Sequence, residues 1–332
     1  MKRWSLVCAI AVLLVFGAAS IKGCTDSPSR PSSQKNPVGS PQALYDGPYV
    51  IIVVIDGLRY TESFGDPTRA HIPYLSNVLA PQGTLFEDFR NEGRTQTVPG
   101  HAALLTGTWQ SIANDGTERP DQPTLFEYFR KSYSVPQDEA RIISGKSTLA
   151  ACGHSTHPAY GEAYGAVEDA GLGEDFAVFE RLLDVLQNDH PPLTVVNFAS
   201  VDWAGHTGNW ETYIEAIETA DLLTAVIWTF LQGNTAYADN TYLFVTNDHG
   251  RHDAAHGGFQ SHGDSCEGCQ HVMLLVLGPD VRANHTVAET RTLRDICNTA
   301  GEILDCSVPH SKGEVLDEIF QDPATGIGVG YR

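Results

Sequence analysis

Tyr49-Val-Ile-Ile-Val-Val-Ile-Asp56-Gly57 sets an unbroken, mostly β-branched run against a carboxylate and a glycine. Apolar residues at every position, not at alternate ones, predict a strand buried on both faces of a parallel sheet. Gly57 permits a sharp turn and leaves the Asp56 carboxylate at the sheet's edge. Weaker runs of the same kind occupy residues 141–144, 193–198, 241–246 and 271–277. Helical patterns fall between them. Thr124-Leu-Phe-Glu127 has capping-box spacing and opens a helix through Phe129. Phe176, Phe179, Leu182, Leu183 and Leu186 share one helix face, with Pro191 beyond its end. Asn209 is placed to cap a long helix that carries Tyr213, Ile217 and Leu231 inward and has Gly233 after it. Strands alternating with helices predict an α/β fold, a three-layer α/β/α sandwich around a mostly parallel central sheet. Residues 152–173 lack a clear period and are expected as a long loop near the site.

The 332 residues suit one α/β core with insertions. The formal net charge of −20 would repel nucleic-acid backbones, which argues against a DNA or RNA polymer as partner. A small anionic substrate remains compatible, because bound divalent cations can reverse the field at a site. Lys2 and Arg3 precede an apolar run from Leu6 to Phe16 and the small residues Gly17 to Ser20, the pattern of a signal peptide over residues 1–23. Cleavage near Ala19 is one ending. The other is Ile21-Lys22-Gly23-Cys24, which resembles a bacterial lipobox with Cys24 as a lipidated first residue. Residues 24–47 then read as a Ser/Pro-rich tether, and residues 48–332 as a single domain. The expected location is the periplasm or cell envelope, with the membrane reached through a lipid at Cys24. Export makes cysteines disulfide candidates. Cys266 with Cys269 is expected as a tight disulfide, because no second such pair completes a zinc knuckle, with a redox pair or half a zinc site as the alternatives. Cys297 with Cys306 is the other expected bridge, leaving Cys152 without a partner.

Chemistry-bearing residues gather at the predicted strand ends. Thr97-Val-Pro-Gly-His101 opens a helix with Pro99 in its first turn, which puts the Thr97 hydroxyl where free N–H groups favour an anionic centre. Asp202-Trp-Ala-Gly-His206 offers a hard oxygen and an imidazole within a glycine-containing turn. Asp248-His249-Gly250 follows another strand, and His252, His256 and His262 lie downstream. Taken singly, Asp56 also fits a turn and Thr97 an ordinary helix cap. Of the downstream histidines, His252 and His256 are the ones expected to be solvated. His101 is expected to pack beside the site without acting as a ligand. Together, Asp56, Thr97, Asp202, His206, Asp248, His249 and His262 read as ligands for two metal ions with a nucleophile between them, a layout for hydrolysis of a phosphate-type ester. The mixed oxygen and nitrogen donors suit zinc best, with manganese or iron as alternatives.

In their order along the chain, these motifs resemble the alkaline phosphatase superfamily, in the branch of nucleotide pyrophosphatase/phosphodiesterase-like metalloenzymes. The resemblance covers Tyr49 to about Phe320. It implies an alkaline phosphatase-like fold, one metal on Asp56, Asp248, His249 and Thr97, and another on Asp202, His206 and His262. It also implies a covalent phosphothreonine at Thr97 and an asparagine that hydrogen-bonds a phosphoryl oxygen, for which Asn114 is the candidate. Asn114 fits an Asn-Asp-Gly turn as well. Val98 stands where nucleotide-acting relatives place an aromatic residue, so a nucleotide preference is not expected. A Thr nucleophile without a following Pro-x-Arg departs from the sulfatases. The expected activity is phosphodiester hydrolysis. The alternatives are a phosphomonoesterase, a phosphonate hydrolase, or a metal-dependent binding protein without catalysis. Lys146, His154, His157 and Tyr160 are further candidates for substrate contact.

Overall fold

A computed structural model describes residues 45–321; the predicted signal segment, Cys24 and nearly all of the tether lie outside them. The Tyr49–Ile55 run forms β1, with every residue from Val50 onward buried. It takes the centre of a nine-stranded sheet. The other strands are β2 (Thr84–Arg90), β3 (Ala140–Ser144), β4 (Val167–Ala170), β5 (Leu193–Phe198), β6 (Thr241–Thr246), β7 (His271–Leu277), β8 (His285–Val287) and β9 (Arg291–Thr292). Their order is β4-β3-β5-β1-β6-β7-β2-β8, with β9 also on β2. The strands from β4 to β6 in this order are mutually parallel. Val53, for example, stands between Val196 of β5 and Val245 of β6. Beyond β6 the direction changes: β7 is antiparallel to both β6 and β2.

Successive side chains of β1 point to opposite faces, and this alternation builds two cores. Val50, Ile52 and Val54 pack with α1 (Thr97–Thr106), α2 (Leu125–Tyr133) and α7 (Leu293–Ile303). Ile51, Val53 and Ile55 pack with α3 (Asp175–Asn188) and α5 (Trp210–Gly233). Between these last two lies α4 (Ser200–Thr207), and α6 (Glu267–Gln270) is a single turn before β7. Helices on both faces make the predicted three-layer α/β/α sandwich. The Thr124–Glu127 capping box forms as expected, and the helix runs on to Tyr133. Asn209 accepts from the Thr212 N–H at 3.1 Å and caps α5. Gly233 is that helix's last residue and not the one after it.

Three expectations are corrected. Residues 152–173 are not all loop: Val167–Ala170 is an edge strand parallel to β3. Val-Glu-Asp-Ala has no apolar alternation because the strand is only partly buried and is held by backbone pairing. Asp202 to His206 is not a turn but part of α4, because the helix starts directly after β5. No disulfide forms among the described residues; Cys152, Cys266, Cys269, Cys297 and Cys306 are all free. Cys297 lies inside α7 and points its thiol at the Leu105 carbonyl, 3.3 Å away, which holds it in the core and not towards Cys306. Cys266 and Cys269 lie unbridged, each with its thiol against His252 Nδ1.

Because Ile52 is fully buried between sheet and helices, Ile52→Ala is expected to lower stability by about 2–5 kcal/mol. Urea unfolding of the two proteins checks this; a loss below about 1 kcal/mol would show that β1 is not the centre of the core.

Candidate metal centre

The parallel strands all end on one edge of the sheet, and that edge gathers the polar residues. Asp56 follows β1, Lys146 follows β3, and Asp248 and His249 follow β6. Asp202 and His206 lie one turn apart on α4, which starts just beyond β5. Thr97 is the first residue of α1, with Gln96 in extended conformation before it. His262 comes from the segment between β6 and α6. Two glycines make the crowding possible. Gly57 turns the chain at φ 68°, and a Cβ there would meet Asp202 Oδ1 at 2.8 Å. A Cβ on Gly100 would stand 2.6 Å from the Asp248 carbonyl oxygen, so α1 packs directly on the β6 loop.

Lys146 is the hub. Its Nζ donates to Thr97 Oγ1 at 2.8 Å, Asp56 Oδ1 at 2.9 Å and Asp202 Oδ2 at 2.7 Å. Thr97 Oγ1 is 3.5 Å from Asp56 Oδ1. His249 Nε2 is 3.6 Å from Asp56 Oδ1 and 3.5 Å from Asp248 Oδ2, and its ring stacks on that of His262. His206 Nε2 and His262 Nε2 are 3.1 Å apart and each 3.4 Å from Asp202 Oδ1. Supporting bonds fix the carboxylates. Asn197 Nδ2 donates to Asp56 Oδ2 at 2.9 Å, the Gly57 N–H reaches Asp248 Oδ1 at 3.2 Å, and Arg251 donates to Asp202 Oδ1.

Three buried carboxylates therefore share a small volume with two permanent cations. Burial pushes the Asp56 carboxyl above the usual range, and the neighbouring Asp248 charge adds to it. Burial acts the same way on Asp202, but His206, Lys146, His249 and Arg251 outweigh it and hold that carboxyl well below the usual range. Asp248 is likewise depressed, its burial overcome by His249 and His101. Burial alone would discharge Lys146; the facing carboxylates of Asp56, Asp202 and Asp248 reverse this and raise it further. His262 is pushed down to about 3, first by burial and then by the His249 charge, so its ring is neutral at pH 7.

These residues fit divalent cations. Asp56, Asp202 and His249 bring ligand atoms within 4.8 Å of one another, as do Asp202, His206 and His262. Asp248 Oδ2 and His249 Nε2 are buried without a hydrogen-bond partner, an expensive arrangement that a metal ion would relieve. The ring orientations agree. His249 Nδ1 lies 2.8 Å from the Gly250 carbonyl and His262 Nδ1 lies 2.9 Å from the Thr95 carbonyl. A carbonyl can only accept, so Nδ1 carries the proton and Nε2 presents a lone pair to the site.

All seven residues singled out as ligands thus converge. Asn114 joins them at one remove: its Oδ1 accepts from the Val98 N–H at 2.9 Å, and the side chain lines the same cavity of about 490 Å³ as Thr97, Lys146, Trp203, His206 and His262. His101 behaves as expected, donating from Nδ1 to the Thr97 carbonyl at 2.8 Å beside Asp248. Of the substrate-contact candidates, only Lys146 reaches the site. His154 faces Glu168, while His157 and Tyr160 pack against each other and His310. Two contributors were missed. Asn197 carried a signal, a polar residue within a buried apolar strand. Arg251 follows Asp248-His249-Gly250 directly but has no spacing rule to mark it.

The comparisons with known proteins agree with this geometry. A family profile described as the Metalloenzyme superfamily matches residues 164–307, a stretch that holds Asp202, His206, Asp248, His249 and His262. That stretch is similar to the metalloenzyme superfamily. The chain's fold is alkaline phosphatase-like. A protein of the alkaline phosphatase superfamily from Vibrio parahaemolyticus superposes with a TM-score of 0.63 at 14% identity, over 84% of this chain and 72% of that one. A phosphonate monoester hydrolase from Silicibacter pomeroyi gives 0.58 at 15% identity, over 81% and 76%. In sequence, a 2,3-bisphosphoglycerate-independent phosphoglycerate mutase from Halobacterium salinarum is 31% identical over 133 residues, 40% of this chain. The match spans about a quarter of the length of the curated relatives.

The His262 shift has a consequence for metal-free protein. The folded ring takes its proton near 3 and the unfolded ring near 6.5, so on acidification the unfolded chain is protonated first. Its stabilising contribution is complete above about pH 6.5 and is lost as pH falls towards 3. His262→Asn is expected to flatten this part of the profile of urea midpoint against pH; superimposable slopes would contradict it.

Proposed function

We propose that this chain is an exported hydrolase of phosphodiesters or related phosphoryl esters, acting through a phosphothreonine at Thr97 between two divalent metal ions. The observation that carries the proposal is the position of Thr97 Oγ1. It stands at a helix N-terminus, 3.5 Å from Asp56 Oδ1, and against the Lys146 ammonium that also holds Asp202, a residue common to both candidate metal groups. Two cations bound there would supply Lewis acidity to the attacking and leaving oxygens, and zinc suits the donor set best.

The chain's own residues account for the rest. Thr97 Oγ gives its proton to the Asp56 carboxylate and attacks phosphorus, the bond to the leaving oxygen breaks and that oxygen takes up a proton, and water then cleaves the phosphothreonine, returning a proton to Thr97 Oγ. Lys146 is charged and 2.8 Å from that oxygen, so it stabilises developing alkoxide and does not remove the proton. The N–H groups of the first turn of α1 favour the phosphoryl anion. Asn114, anchored through Val98, holds its amide in the cavity to donate to a non-bridging oxygen. Trp203, 39% exposed beside His206, offers an apolar wall to an ester substituent. Hydrolysis of phosphonate monoesters is the second reading, favoured by the fold shared with the Silicibacter pomeroyi enzyme.

Thr97→Ala is expected to cut hydrolysis by about 10³-fold or more while metal content is kept. Exhaustive chelation is expected to abolish the activity, with recovery on adding zinc or manganese. Full turnover in either sample would remove the nucleophile or the metals from the mechanism. A comparison of bis-nitrophenyl phosphate with nitrophenyl phosphate tests the substrate class. The diester is expected to have the higher kcat/KM, and the reverse order would favour a phosphomonoesterase.

A further inference from the structure

We propose that His252, Asp264, Cys266 and Cys269 form a separate structural zinc site that fastens the loop carrying His262. The four side chains bring one ligand atom each within 4.8 Å of one another, and none belongs to the Thr97 centre. Cys266 is the N-cap of the single turn of α6 and Cys269 lies within that turn, three residues on, which puts both thiols on one side. Three atoms converge on one imidazole nitrogen. His252 Nδ1 is 3.5 Å from Cys266 Sγ, 3.4 Å from Cys269 Sγ and 3.2 Å from Asp264 Oδ1.

Hydrogen bonding explains only the place of Asp264, whose Oδ1 accepts from the Cys266 N–H at 2.9 Å. A single N–H cannot serve three acceptors well, and thiols are weak donors and weak acceptors. A tetrahedral ligand shell does explain the convergence. Zinc bonds of about 2.3 Å to sulfur and about 2.0–2.1 Å to nitrogen or oxygen give nitrogen–sulfur edges of roughly 3.5 Å and nitrogen–oxygen edges of roughly 3.3 Å. The observed separations have those lengths. Two thiolates, an imidazole and a carboxylate are donors that suit zinc.

The backbone around the cluster is already tight. The Gly250 N–H bonds the Cys269 carbonyl at 2.8 Å, and the His252 N–H bonds the Ser261 carbonyl at 2.9 Å. A Cβ on Gly268 would lie 2.4 Å from the Arg251 carbonyl oxygen. The proposed ion would thus join both ends of the segment 253–263. Within that segment, the Phe259 and Gln260 carbonyls hold Arg251, which holds Asp202, and His262 belongs to the Thr97 centre. This staple's effect on activity rests on the proposed function; the binding of zinc by the four residues does not.

The test uses the full chain, isolated under reducing conditions with zinc as the only added metal. An Asp202→Asn, His206→Asn variant is expected to keep the sulfur-bound zinc, seen as sulfur scattering at about 2.3 Å in X-ray absorption. Cys266→Ser, Cys269→Ser protein is expected to lose that zinc and the sulfur signal while still binding metal at the Thr97 centre. Should that variant not fold, an organomercurial titration of the otherwise unchanged protein gives the same information, with one zinc expected for the two thiols. Absence of sulfur-bound zinc in the unchanged protein, or a Cys266–Cys269 disulfide found by mass in protein drawn from its host, overturns the proposal. Because zinc content and hydrolysis are read separately, failure here leaves the Thr97 chemistry untouched, and an inactive chain leaves this site untouched.

Discussion

Mutual repulsion among Asp56, Asp202 and Asp248 is the constraint that shapes this molecule. Three buried carboxylates cannot share one sheet edge unless positive charge is set among them. Lys146 and Arg251 supply part of it from opposite sides, and Asn197, Gly57 and the neighbouring histidines fix the carboxylates in place. The remaining excess of buried, unpartnered acceptors is what makes the site a receptor for cations and, through them, for anions. The anionic substrate proposed above would be repelled at long range by the chain's net charge of −20 and attracted only at this point.

The sandwich serves that concentration of charge. Parallel strands deliver their carboxyl ends to one edge, so residues far apart in sequence arrive side by side without long loops. Buried β-branched side chains on both faces of β1 keep the edge rigid, and the close approach of Gly100 to the Asp248 backbone locks α1, and with it Thr97, against the β6 loop.

Much of this was legible before any coordinates. The β-branched runs marked the central strands because burial on both faces leaves a one-dimensional trace. Asp56, Thr97, Asp248, His249 and His262 were visible because each stands beside a glycine, a proline or the end of a strand. The partners of those residues were harder to read. Lys146 was one of four polar candidates in an irregular interval, and only folding shows that β3 ends beside β5 and carries it to Thr97. Arg251 has no periodic or positional signature. β2 was missed because Glu87 and Asp88, at a register shift, interrupt the pattern of its buried Leu85, Phe86 and Phe89, and β8 and β9 because they have only 3 and 2 residues. The cysteines were read as bridges on compartment chemistry, whereas local geometry turns them elsewhere.

One arrangement carries a consequence for how the protein matures. Lys146, Thr97 and Asp56 lie outside residues 164–307, the stretch that matches the superfamily, while the histidine donors lie inside it. No contiguous piece of polypeptide owns the whole chelating set, so ions acquire their full hold only when the sheet has closed around β1. Cation loading then acts as a ratchet at the end of folding, pulling the population towards the finished state by mass action and leaving incomplete chains unprotected.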